Sequence, residues 1–168
     1  LQNAEKPEHA LAIAKELLDT ADGLEPWPFD EPAKHVFLSD VYFEIGRAHN
    51  ATLPTAVFDP YEHAIEAYNK SVSVLKPDDT RKRARGYIFL ALAYADRIEG
   101  DLGQNTETAI DYARTSLELL DPTMDRMLVA TTKGTLASLI ANSPNGTIKE
   151  NTETAVELQL ESISVIDR

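Results

Sequence analysis

Apolar side chains recur every three or four positions along most of this chain, the spacing that gathers them on one face of an α-helix. Four segments show the spacing most clearly, and we call them B helices; their apolar runs start from residues 8, 62, 105 and 151. Sustained alternation of apolar and polar residues between turns, which is typical of strands, does not occur. The pattern therefore predicts an all-α protein.

A second kind of helix, which we call an A helix, precedes each of the last three B helices. Its mark is an aliphatic residue followed by a small one: Ile45-Gly46, Leu90-Ala91 and Leu136-Ala137. In every copy the small residue lies 18 positions before the first alanine of the next B helix, at Ala64, Ala109 or Ala155. Because small residues let two helix backbones approach closely, this constant spacing predicts repeated αα-hairpins.

An identical pentapeptide supports the period. Asn-Thr-Glu-Thr-Ala occurs at 105–109 and again at 151–155, 46 residues later, and proline or glycine breakers separate the helices. The sequence thus predicts one domain over 1–168 with about seven helices. They are expected at 4–21, 33–49, 60–75, 80–99, 105–120, 123–142 and 150–166, which gives a lone B helix (4–21), a linker (22–32) and hairpins over 33–75, 80–120 and 123–166.

The spacing Tyr87-x-x-Leu90-Ala91-x-x-Tyr94, then Ala109-x-x-x-Ala113, then Pro122 resembles the tetratricopeptide repeat (TPR), although the period here is 45–46 residues and not about 34. Residues 90–101 and 105–110 also resemble the long repeats next to bacterial CHAT domains. The resemblance implies a right-handed superhelical stack of antiparallel helical hairpins, a TPR-like solenoid. It further implies a non-catalytic scaffold in which A helices line a concave face that binds a protein or peptide.

Two alternative functions remain open from the sequence. The chain could be a sensor or regulatory segment of a larger enzyme such as a CHAT-type peptidase, or it could be a self-assembly scaffold. A cysteine nucleophile would have to lie outside this segment, because it contains no cysteine. The lack of cysteine fits a reducing compartment, so we expect a cytoplasmic bacterial protein, and we expect no metal or cofactor.

Charge narrows the class of partner. The chain carries 16 Lys and Arg against 28 Asp and Glu, a net charge of −12, which argues against nucleic acid as the main partner. No apolar run approaches the length of about 18 residues that a membrane-spanning helix needs. The expected partner is therefore another protein or a peptide.

Five cations are nevertheless concentrated within residues 76–85: Lys76, Arg81, Lys82, Arg83 and Arg85. They either pair with neighbouring acids or contact an anion or an acidic peptide. In TPR geometry the second A helix would present Arg85 and its neighbours beside the first A helix. The predicted partner-binding residues are Asp40, Phe43, Arg47, Arg81, Arg85, Ile88 and Leu92.

Three further features yield expectations. The last B helix is expected to leave Val156, Leu160, Ile163 and Ile166 uncovered, which predicts self-association through that helix. The only tryptophan, Trp27, lies in the Pro-rich linker and is expected, with Phe29, to cover helix ends. The four histidines (His9, His35, His49 and His63) are interpreted as structural, because three of them occupy repeat-equivalent or motif positions.

Overall fold

A computed structural model describes residues 7–23, 30–55 and 58–166, and these residues form seven α-helices without a strand. Residues Thr55 and Phe58 form one isolated β-bridge. The helices are α1 (Pro7–Gly23), α2 (Glu31–Asn50), α3 (Pro60–Ser73), α4 (Thr80–Asp96), α5 (Leu102–Glu118), α6 (Arg126–Ala141) and α7 (Ile148–Ile166). The predicted all-α class and the number of helices are confirmed over the described ranges. In that part of the chain none of the helices has the length and apolarity needed to cross a bilayer.

Helix bounds differ from the expected ones where capping decides them. α5 begins three residues early because the Asp101 carboxylate accepts a hydrogen bond from the Gln104 N–H at 2.9 Å. α4 ends at Asp96, since Arg97 adopts an extended conformation. The linker residues 24–29, with Trp27 and Phe29, lie outside the described residues, and so do the first three residues of the expected helix 4–21.

The helices belong to two compact units, residues 1–78 and 79–168. In the first unit α2 packs against both α1 and α3. In the second, α5 packs against α4 and α6, and α6 also packs against α7. The expected hairpins are therefore α2–α3, α4–α5 and α6–α7, with α1 as the additional B helix. The single domain expected over 1–168 stays a prediction.

One hydrogen bond recurs in all three hairpins. A buried serine of the B helix donates its hydroxyl to a backbone carbonyl of the A helix 32 residues earlier. The pairs are Ser71 to Ser39 at 2.9 Å, Ser116 to Ala84 at 2.9 Å and Ser162 to Ala130 at 2.7 Å. Because the bond joins equivalent positions each time, the three hairpins have the same register, as the constant sequence spacing predicts.

Small residues lie at the helix crossings, as expected. Ala91 and Ala109 are fully buried in the core of the second unit together with Ala113. Gly46 of the first unit is closer still to its neighbour, because a Cβ added there would lie 2.4 Å from Cε1 of Tyr68. Tyr68 is itself fully buried. The first hairpin thus combines a glycine with a large aromatic ring where the second hairpin has two alanines.

The turns that precede α5 and α7 have the same glycine conformation and the same side-chain hydrogen bond. Gly100 and Gly146 both have left-handed backbones, with φ of 86° and 83°. In each turn the asparagine that begins the repeated pentapeptide donates a side-chain amide N–H to the carbonyl of the residue before that glycine. Asn105 bonds Glu99 and Asn151 bonds Asn145, both at 2.8 Å. The asparagine of each pentapeptide therefore holds its turn through the same hydrogen bond.

Candidate functional site

A groove in the second unit, which we call the basic groove, lies between the two A helices α4 and α6. It has a volume of about 530 Å³. α4 contributes Arg81, Lys82 and Arg85, and α6 contributes Met127, Leu128 and Thr131. Met127 is 67% exposed. The groove therefore offers positive charge on one side and an adaptable apolar surface on the other.

The repeat explains why these six residues meet. Each residue of α4 that lines the groove lies 46 positions before a lining residue of α6: Arg81 before Met127, Lys82 before Leu128, and Arg85 before Thr131. Positions i, i+1 and i+4 share one side of a helix. The basic groove is thus the space between the same side of two successive A helices.

An ion pair ties the two sides of the groove together. Nε of Arg81 lies 3.0 Å from Oδ1 of Asp125, at the start of α6. The Asp125 side chain is largely buried, and it makes no cap hydrogen bond to its own helix. A carboxylate removed from water is stabilised by such a partner. For Arg81, the interpretation as an internal ion pair is therefore correct.

The N-terminus of α4 differs from those of α2 and α3 in its capping. The first turn of α4 contains no acid, and Asp79 at its N-cap makes no side-chain cap bond. By contrast, Asp30 and Asp59 cap α2 and α3 through bonds of 2.9 Å to backbone N–H groups. Cations near a helix N-terminus oppose the helix dipole. The dipole of α4 therefore opposes the positive charge of Lys82 in its first turn.

Two of the predicted partner-binding residues are core residues, and their assignment was wrong. Phe43 is 5% exposed and its ring packs on Tyr68, with the centroids 5.5 Å apart. Ile88 is 3% exposed and belongs to the cluster formed by α4, α5 and α6. Both lie on the A-helix side that was expected to face a groove. Phe43 is covered by Tyr68 of α3, and Ile88 is covered by residues of α5 and α6.

The remaining predicted residues are divided between the two units. Arg81 and Arg85 line the basic groove, whereas Leu92 is half-buried outside it. In the first unit Arg47 is exposed and pairs with Glu44 of its own helix at 3.0 Å. Asp40 lines a separate apolar groove of about 350 Å³ between α1 and α2. The alignment of Asp40 and Arg47 with the residues of α4 stays a prediction.

Sequence reasoning missed Lys82, Met127, Leu128 and Thr131 as parts of the site. Their signal was nevertheless present, because adding the repeat period of 46 to Arg81 and Arg85 leads to Met127 and Thr131. The prediction instead followed one face along α4 to Ile88. A groove between parallel repeats is found by comparing equivalent positions, not by extending one helix face.

Two histidines lie together in the first unit. The rings of His49 and His63 stack with centroids 5.1 Å apart. The ring of Phe58 also stacks on His63, with centroids 5.3 Å apart. Burial lowers the pKa of His49 below 6.5, the nearby His63 lowers it further, and Glu66 opposes the shift. Among the described residues no group of three or more His, Asp or Glu is arranged to hold a metal ion. The ring stacking supports a structural role for the pair.

The lowered pKa of His49 predicts a dependence of stability on pH. The unfolded chain binds a proton at His49 more readily than the folded chain, so the free energy of unfolding falls as pH drops below about 6.5 and towards the folded pKa. His49→Tyr places at this position the residue found at Tyr94 and removes that titration. Its urea midpoint should change less between pH 8 and pH 5 than that of the wild type. An equal change in both proteins would show that other groups dominate.

Comparison with known proteins identifies no relative: no family model, no curated protein and no solved structure matches this chain. The TPR resemblance therefore remains a resemblance in spacing and motif.

Proposed function

We propose that this chain is a non-catalytic protein- or peptide-binding module of the TPR-like class, with its helical hairpins in a right-handed stack. The observation that carries the proposal is the basic groove, where three cations and an exposed methionine meet in a chain with a net charge of −12. The recurring serine bonds support the repeat character of the hairpins. The docking partner is an acidic segment with apolar residues.

The groove suits such a segment in two ways. Met127 and Leu128 offer apolar contact area, and methionine adapts to differently shaped partners. Lys82 and Arg85, with Arg81 held by Asp125, provide positive potential that steers an acidic chain and sets its orientation. Packed helices hold these groups in place before binding, so the ordering cost falls mainly on the peptide.

Charge reversal tests the proposal. Peptides would be selected from an acidic display library on the immobilised chain, and their association rates measured against salt concentration. Arg81→Glu/Arg85→Glu should lower the association rate by about tenfold or more at low salt, because steering is lost. Lys82→Glu/Arg85→Glu should do the same while it leaves the Arg81–Asp125 pair intact.

A matched control separates the groove from net charge. Lys15→Glu/Arg114→Glu makes the same change in total charge at two exposed positions outside the groove. This variant should bind the selected peptides at close to the wild-type rate. If both groove variants bind as fast as the wild type at low salt, the basic groove is not the docking surface.

A further inference from the structure

The last helix carries an apolar strip that the described chain leaves uncovered. Val156, Leu160, Ile163 and Ile166 are between 50% and 63% exposed. Their spacing of four, three and three places them on one side of α7, and we call them the α7 strip. Another side of α7 packs on α6, where Ser162 bonds the Ala130 carbonyl. The prediction that these four residues leave apolar surface is confirmed.

The repeat indicates what kind of structure fits the α7 strip. The positions 46 residues earlier are Ile110, Arg114 and Leu117 of α5, and Leu120 two residues after its end. Ile110 and Leu120 are buried and Leu117 is half-buried, in clusters that include Leu136, Leu139 and Val129 of α6. The next A helix therefore covers this side of α5. The same side of α7 is more apolar, because Leu160 replaces the exposed Arg114.

Carboxylates lie along one edge of the α7 strip and favour a partner with positive charge there. Glu153 and Glu157 are exposed and lie three residues before Val156 and Leu160, along one edge of the strip. Glu153 has Lys149 at 3.9 Å as a weak exposed partner. Two copies of α7 packed strip to strip in parallel would bring these acids together at an apolar contact. In an antiparallel pair they would face residues 158–166, which contain no Lys or Arg. A helix with cations at the matching edge gains attraction there instead.

The orientation of that helix follows from α5 and α6. They pack against each other and are joined by only seven residues, 119–125, so they run antiparallel. A helix docked on α7 in the same way has its C-terminal half opposite the N-terminal half of α7. Glu153 lies in that half, and Glu157 is the central residue of α7. Cations near a helix C-terminus are also favoured by the helix dipole.

We propose that the α7 strip docks an amphipathic helix of another protein, antiparallel to α7, with apolar residues spaced as in α6 and Lys or Arg in its C-terminal half. This second surface does not involve the basic groove. The module thus has one surface for an acidic segment and another for a cationic helix.

Two synthetic peptides test the proposal on the full chain. Both have the sequence of residues 123–142, because α6 is the helix that covers the equivalent side of α5. One peptide carries Ser138→Lys and Asn142→Lys, and its twin carries Ser138→Glu and Asn142→Glu. Ser138 in α6 and Asn142 at its C-cap are both exposed. Fluorescence anisotropy at low salt should show that the lysine peptide binds about tenfold or more tightly than its twin.

Variants of the chain locate the bound peptide. Leu160→Gln/Ile163→Gln should weaken the lysine peptide by about tenfold or more, because two apolar contacts are lost. Both residues are exposed, so the unfolding midpoint of the variant should remain close to that of the wild type. Leu53→Gln/Leu102→Gln, at positions 83% and 65% exposed outside α7, is the matched control and should bind normally.

Three results would overturn the proposal. Equal or absent binding of the two peptides would remove the charge requirement. Unchanged binding to Leu160→Gln/Ile163→Gln would place the peptide elsewhere, for example on α5 in exchange for α6. Sedimentation that shows a dimer of the chain, lost in the same variant and indifferent to the peptide, would assign the strip to self-association. None of these results bears on the basic groove, whose variants lie in α4.

Discussion

Gly46→Ala is expected to lower the free energy of unfolding by about 1–3 kcal/mol, although alanine is normally the better helix residue. The added Cβ would lie 2.4 Å from Cε1 and 2.5 Å from Cδ1 of the Tyr68 ring. Neither the ring nor the glycine can move away cheaply, because Tyr68 is fully buried between α2 and α3. Urea denaturation of the purified chain measures the difference.

A double-mutant cycle tests the cause of this loss. The repeat equivalent of Tyr68 is Ala113, which pairs with Ala91 without a clash. Tyr68→Ala alone should cost about 3–5 kcal/mol through the cavity it leaves. In that background Gly46→Ala should be neutral, or stabilising by up to about 1 kcal/mol, because only the helix preference remains. A similar penalty in both backgrounds would mean that the ring is not the obstacle.

Gly134 of α6 is the matched control. It also lies within an A helix, but a Cβ there meets nothing closer than 3.8 Å, the Gln159 Oε1. Gly134→Ala should therefore be tolerated, with a gain of up to about 1 kcal/mol. If both glycine variants lose stability equally, a general need for glycine in these helices would explain the result, and not the Tyr68 contact.

The hairpins could be predicted from the sequence because their determinants are local or periodic. Apolar spacing identifies each helix, and the interval of 18 positions from Ala91 to Ala109 pairs an A helix with its B helix. The same register gives the bond from Ser116 to the Ala84 carbonyl. A pattern that recurs at equivalent positions in several repeats is rarely accidental, so each repeat supports the structure predicted for the others.

The site was harder to predict because exposure depends on neighbours that a single helix face does not reveal. Arg85 and Ile88 are three residues apart on one side of α4, yet Arg85 lines the groove and Ile88 is buried with residues of α5 and α6. Burial differs along that side because α5 and α6 cover Ile88. Phe43 was misassigned for the same reason, since its ring packs on Tyr68 of the next helix.

The turns show a different obstacle. Asn105 and Asn151 were recognised as a repeat, but their role depends on a left-handed glycine five residues earlier and on a carbonyl that the side chain reaches back to bond. Of the residues 97–104 and 143–150 that precede the two pentapeptides, only this glycine is the same in both. Backbone geometry of this kind leaves little trace in side-chain patterns.

Ala91→Leu is the second change expected to have a large effect, a loss of about 1–3 kcal/mol in the free energy of unfolding. Ala91 is fully buried, and it lies in one cluster with Ala109 and Ala113. A leucine adds three carbon atoms inside the packed contact of α4 and α5, so the helices must separate or strain. Ala109→Leu enlarges the same crossing from α5 and should have a similar effect.

The control is Ala141→Leu, at an exposed alanine that ends α6. Because the new side chain extends into solvent, the free energy of unfolding should change by no more than about 0.5 kcal/mol. Urea midpoints of the three variants, compared with that of the wild type, separate overpacking from a general intolerance of leucine in these helices. Midpoints unchanged for both Ala91→Leu and Ala109→Leu would contradict the close crossing of α4 and α5, and with it the register in which Ala91 lies 18 positions before Ala109.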